Sequence, residues 1–345
     1  MKQKIKKSVA AAALVCVVTS AAKAEEQVVL YHWFEYIPQE LLEKFTSESG
    51  IEVVMDTYDS NEALLASLKA GAIGTYDLAV PGDYMVEILA NQGLLGEFKP
   101  DELKNFENIA DQWLNVDFDP GRQYSIPYQW GTTSFSVNRD VYQGEIDQLS
   151  VLFNPPEELS GKINMLDAQN DVLALASLYL NIPQCTNDRE QLKAINGLVQ
   201  EAKQHWVSFN SDTTKDILVS GDVAASMIWN GFGARARVEG ANIEYAFPTD
   251  GYIVWMDNVV LLKDAPNREN ALKFMDFLLV PENIAAVSDY ARYESGITGA
   301  KEHVSDELRE MPELNAPTGG KGHFVEVCDA ETQAVYDQIW TNLRK

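Results

Sequence analysis

Extended and helical patterns alternate from residue 28 to residue 93, and no other feature restricts the fold as much. Residues 28–33, Val-Val-Leu-Tyr-His-Trp, are β-branched, aromatic or apolar at every position but His32, as suits a strand. Pro38 then opens a helix whose apolar stripe is Leu41, Leu42 and Phe45, and Gly50 ends it. Residues 51–58 read as the next strand, 61–70 as a helix, 76–80 as the third strand, and 83–91 as a helix stopped by Gly93. Strands joined by helices pair in parallel, so this order predicts an α/β fold with helices on the faces of a sheet. Ligands of such sheets sit beyond the carboxyl ends of the strands, where Trp33 to Tyr36 and Pro81 to Tyr84 fall.

A second, similar unit follows. Residues 134–138, 162–166, 223–229 and 242–247 are strand-like, and 172–180 and 190–205 are helical. Residues 252–263 form a run longer than the average strand, long enough to cross between two units. Helices are expected at 267–279, 281–291 and 330–343. With 46% hydrophobic residues, a mature chain of this length favours two cores over one.

The first residues read as an export signal. Lys2, Lys4, Lys6 and Lys7 precede an apolar run from Ser8 to Val18, and Ala22-Lys23-Ala24 supplies the small residues of a cleavage site. Residues 1–24 are therefore expected to be removed, leaving a soluble periplasmic protein. Removal takes away five lysines and no acid, moving the formal charge from −25 to about −30. Such a surface repels nucleic acid and attracts small cations. Cys185 and Cys328 remain after export and could pair in an oxidising compartment.

Trp255-Met256-Asp257 places an indole and a carboxylate on one side of an extended strand, and Trp33-Phe34-Glu35 repeats the spacing. A ring face attracts a cation and a carboxylate neutralises it, so the pair suits a primary ammonium. An acid beside a core tryptophan is the ordinary explanation of any single instance. Two instances after apolar strands point to an amine-binding cleft.

Six segments can be read together: Trp33-Phe34-Glu35-Tyr36, Asp59-Ser60-Asn61-Glu62, Tyr76-Asp77-Leu78-Ala79-Val80-Pro81, Ser125-Ile126-Pro127-Tyr128-Gln129-Trp130-Gly131, Met227-Ile228-Trp229-Asn230-Gly231 and Trp255-Met256-Asp257. On these segments the chain resembles the periplasmic spermidine/putrescine-binding proteins of ATP-driven importers over essentially its whole mature length. The resemblance implies a two-lobed periplasmic binding protein of type II, each lobe a mixed, mostly parallel sheet flanked by helices, with the ligand in the interlobe cleft. Residues 25–131 with 256–297 would form one lobe and 132–255 with 298–345 the other. It implies an aromatic box of Trp33, Tyr36, Tyr84, Trp229, Trp255 and Tyr293, and amine-binding carboxylates Glu35, Asp167 and Asp257. Asp83, Asp171 and Glu326 are added as positions that depart from the family pattern, beside Phe34, Gly82, Asn170 and Phe232; whether Asn170 or Asp171 faces the ligand stays open. The implied partners are a polyamine (spermidine, putrescine or norspermidine) and an ABC permease, with no cofactor, no metal and a monomeric state.

Other readings remain beside these. Asp83 and Asp167 each precede helical runs and are N-cap candidates. Tyr128 and Trp130 are expected to pack, as are Trp113, Trp206 and Trp340; His32 alternates with Trp33 and should point away from the cleft. A membrane signalling receptor in place of a permease would use the same clamp. A carboxylate pair among aromatics also suits a glycoside hydrolase, but the chain has no G-x-S-x-G and no H-E-x-x-H, and its four histidines are scattered.

Overall fold

The computed structural model describes residues 26–58 and 60–345. The expected export signal at 1–24 lies outside the described residues. The architecture is α/β, a mixed sheet flanked by helices. Across the sheet the strands run Glu52–Tyr58, Gln27–Trp33, Leu78–Ala79, Tyr252–Leu261, Ser125–Asn138, Ala225–Trp229, Ile163–Met165, Trp206–Phe209. The first three are parallel, as are the last three, and the two long strands between them pair antiparallel.

Helix Gln39–Ser49 follows the first strand and buries Leu41, Leu42 and Phe45; Gly50, at φ 74, ends it in the left-handed conformation. Phe45 meets Phe274 and Phe277 edge-on at 5.0 and 5.2 Å, docking the late helix Arg268–Leu278 on the early sheet. These join Val28, Leu30, Val80, Val259 and Ile284 in one core. Leu64, Met85, Leu89 and Val260 cover the opposite face. A separate core gathers Phe135, Val137, Met165, Leu173, Val199, Met227 and Tyr336. Strand Ser125–Asn138 gives Ile126 to the first core and Phe135 to the other; strand Tyr252–Leu261 gives Val259 and Ile253 in the same way. Both long strands therefore link the two apolar masses.

The first of these strands departs from expectation. It begins nine residues before 134, because Pro127 and Gly131 interrupt the pattern without ending the pairing. The ladder slips there: Met256 faces Trp130 and Asn258 faces Pro127, so two residues of one strand oppose the single Asp257 of the other. Strand Trp206–Phe209 and helices Thr214–Val219 and Asn230–Val238 were also not anticipated; Gly231 and Gly233 depress the helical signal of the last. Cys185 and Cys328 are bonded, with Cα atoms 5.0 Å apart.

Candidate functional site

Three parallel strands end side by side and deliver the first aromatic wall. Trp33 and Tyr58 are register partners at the ends of their strands, with ring centroids 4.7 Å apart. Both donate to the Val80 carbonyl, the Trp33 indole Nε1–H at 2.7 Å and the Tyr58 hydroxyl at 2.6 Å. Tyr58 was not anticipated as part of this wall, although its place at a strand end marks it. After Trp33 the chain turns through Glu35, whose φ of 50 is left-handed, and Phe34 and Glu35 are exposed at the tip of the turn.

Tyr36 returns to the interior beside Tyr293, centroids 5.9 Å apart, and Tyr293 meets Trp255 edge-on at 4.9 Å. Two glycines permit this second wall. A Cβ at Gly131 would lie 2.6 Å from the Trp255 ring and 2.5 Å from Asn230 Oδ1; one at Gly231 would lie 2.4 Å from the Tyr293 ring. Trp229 stands against both cores, its ring 5.6 Å from Phe232. His32 turns the other way, into a buried contact with Tyr36 and Tyr128, where burial lowers its pKa to about 4.

Three carboxyls share this space. Asp257 sits where the ladder slips, and burial raises its pKa to about 8; the neighbouring Asp83 pushes the same way. The Tyr36 hydroxyl faces Asp257 and favours its ionised form, although no hydrogen bond of normal geometry closes between them. Asp171, in the first turn of helix Gln169–Leu180, accepts a 2.9 Å hydrogen bond from Thr133 Oγ1. Burial raises it to about 6, while Thr133 and the Trp229 indole oppose the shift. Asp83 is raised to about 7 by burial, and the charge of Asp171 adds to the effect. Asp171 and Asp257 keep some exposure, yet desolvation dominates both. Among the described residues, no lysine, arginine or histidine pairs with Asp83, Asp171 or Asp257.

Asp83 is not an N-cap. Gly82 holds that position, and the Asp83 carboxyl instead accepts from the backbone N–H of Met256 at 2.8 Å and of Tyr84 at 2.6 Å. It ties the helix to the long strand beside Asp257. The Tyr84 hydroxyl donates to Glu62 and accepts from Asn61, whose amide oxygen also takes the Gly82 N–H. Asp167 is not an N-cap either, since Ala168 precedes the helix and lacks a capping side chain. Its carboxylate is about half exposed and pairs with Arg344 at 2.7 Å. That guanidinium also lies over the Phe209 ring at 4.6 Å. Between Asn170 and Asp171, it is Asp171 that reaches the aromatic group. Glu326 is exposed, and its backbone N–H donates to Gln184.

Two features stand out chemically. Buried donors at Trp255 Nε1 and Tyr36 Oη find no partner, and three desolvated acids lack a counter-cation among the described residues. An aromatic cluster that holds desolvated acids in this way suits a flexible guest bearing positive charge. No group of His, Cys, Asp and Glu able to hold a metal occurs among the described residues.

Residues 40–316 match the family described as bacterial extracellular solute-binding protein. The chain belongs to that family. It is 34% identical over 331 residues to a spermidine/putrescine-binding periplasmic protein of Salmonella typhimurium, covering 94% of each chain. It is 30% identical to the putrescine-binding periplasmic protein SpuD of Pseudomonas aeruginosa, over 100% of this chain and 99% of the other. Among solved structures, the spermidine/putrescine ABC transporter substrate-binding protein PotD of Streptococcus pneumoniae superposes with a TM-score of 0.82 at 28% identity, covering 92% of this chain and 98% of that one.

Proposed function

We propose that this chain is a periplasmic polyamine-binding protein that delivers spermidine- or putrescine-type cations to the permease of an ABC importer. It binds and releases its ligand without chemical change, as its family does. The observation that carries the reading is the set of three desolvated carboxyls, Asp83, Asp171 and Asp257, set among Trp33, Tyr36, Trp229, Trp255 and Tyr293, with no lysine, arginine or histidine paired with them among the described residues. Two lobes of the type II arrangement, 25–131 with 256–297 and 132–255 with 298–345, would close on the ligand about the two long strands. The separate apolar cores and the strands that join them support this division.

In the closed form Asp257 would take one ammonium against Trp255 and Tyr36, and Asp171 a second against Trp229. Asp83 chiefly holds Met256 and adds negative potential. Tyr84 lines the space through Asn61 and Glu62. Asp167, Glu35 and Glu326 would lie at the rim, where Asp167 exchanges Arg344 for solvent or a distal amine. A cation over a ring contributes about 0.5–2 kcal/mol and a charged hydrogen bond about 1.5–3 kcal/mol, so two such clusters support micromolar binding after the cost of association. Calorimetric titration with spermidine, putrescine and norspermidine, against neutral oligosaccharides as controls, tests the reading. Saturable polyamine binding is expected; oligosaccharide binding with no polyamine response would reject it.

A further inference from the structure

Arg122 is completely buried and lies in the turn that leads into the long strand Ser125–Asn138, held at a left-handed φ of 56. The nearby carboxylate of Asp119 is occupied by the backbone N–H groups of Gln123, Tyr124 and Ser125 and by the Ser125 hydroxyl. Among the described residues, no carboxylate forms an ion pair with Arg122. Its guanidinium is spent elsewhere: Nε donates to the Trp113 carbonyl at 2.7 Å, one terminal nitrogen to Ser125 Oγ at 3.0 Å and Asn258 Oδ1 at 2.6 Å, and the other to Met256 Sδ at 3.2 Å. A buried guanidinium without a direct counter-charge is costly to retain.

Two of the three side chains it grips, Met256 and Asn258, flank Asp257 on either side. At this point the long strand Tyr252–Leu261 keeps its ladder with Ser125–Asn138 through a slip between Met256 and Asn258 and gains a second neighbour: Asp257 bridges Gly82, and Asn258 N–H donates to Pro81 at 2.9 Å. A slipped ladder leaves the direction of its central side chain poorly fixed by strand pairing alone. The Asp83 carboxyl holds Met256 by its backbone, and the Arg122 fork holds Met256 and Asn258 by their side chains. We propose that Arg122 is a positioning residue for ligand binding: it locks the two neighbours of Asp257 and thereby aims that carboxylate at the ligand's ammonium. This rests on the reading of Asp257 as an amine-binding acid.

The test is a double-mutant cycle on the mature protein, with spermidine as the probe in calorimetry. Arg122→Met should weaken binding about tenfold while far-UV circular dichroism is unchanged, and in the Asp257→Asn background the same change should cost less than about twofold. Equal losses in both backgrounds would show a general structural role and overturn the proposal, as would wild-type affinity in Arg122→Met. Should Arg122→Met fail to fold, Asn258→Ala removes one acceptor of the fork. It should lose about threefold, again only when Asp257 is present; an unchanged affinity would overturn the proposal. Wild-type protein that binds no spermidine, putrescine or norspermidine would overturn the underlying polyamine reading and this proposal with it.

Discussion

Asp257 and Asp167 are both acids that the polyamine-binding pattern assigns to amines, yet their surroundings have little in common. Asp257 is packed beneath aromatic rings, beside a second acid, with its pKa raised to about 8 by burial and no lysine, arginine or histidine paired with it among the described residues. Asp167 is half in water and already holds Arg344 at 2.7 Å. An acid of the first kind ionises only against the cost of desolvation, which an incoming positive charge offsets; one of the second kind exchanges one partner for another at little gain. The contrast teaches that binding strength should follow desolvation rather than the number of carboxylates.

The sharpest way to break the contrast is Asp257→Asn, which should cost about 2–5 kcal/mol of polyamine binding by calorimetry, the range for one partner of a buried charged pair. Wild-type affinity in that variant would remove Asp257 from the site. The second is pH. Asp171, Asp83 and Asp257 have folded-state pKa values of about 6, 7 and 8, above the unfolded value near 3.8. The folded chain therefore holds protons that the unfolded chain has released. The stability this gives is complete below about pH 4 and is lost as pH rises through 6, 7 and 8. The melting temperature of the ligand-free protein should fall across that window, the stabilisation by spermidine should grow across it, and Asp257→Asn should flatten both trends. A melting temperature that rises from pH 5 to 8 would contradict the assignment.

Third, Thr133→Val removes the hydroxyl that Asp171 accepts from and should weaken spermidine by about 1.5 kcal/mol, with its affinity falling away at a higher pH than in wild type. The smallest effect is expected at the exposed acid. Asp167→Asn and Arg344→Ala should each change affinity and stability by no more than about 1 kcal/mol. A loss at Asp167 as large as at Asp257 would erase the distinction between them.

Much of the frame was legible in the sequence because it depends on local pattern. The strand ending at Trp33, the helix closed by Gly50 and the long run through Trp255 and Asp257 follow from periodicity and end signals alone. What could not be read depends on distant partners. Nothing near Asp83 shows that its carboxyl is claimed by Met256, 173 residues away, and nothing near Asp167 shows that Arg344 arrives from the last turn of the chain. The choice between Asn170 and Asp171 turned on where helix Gln169–Leu180 starts, and helix starts are uncertain by a residue or two. The early part of strand Ser125–Asn138 was hidden by a proline that a central strand normally excludes and that is tolerated here where the ladder slips.

Gly131 and Gly231 carry a consequence for how discriminating such a receptor can be. Because Trp255 and Tyr293 rest directly on main chain at those positions, neither ring can retreat without moving the backbone behind it. If these rings wall the ligand as proposed, a wall that cannot give way would turn bulky or branched amines away by shape before charge is consulted, and a methyl group added at either glycine would push its ring into the guest's path.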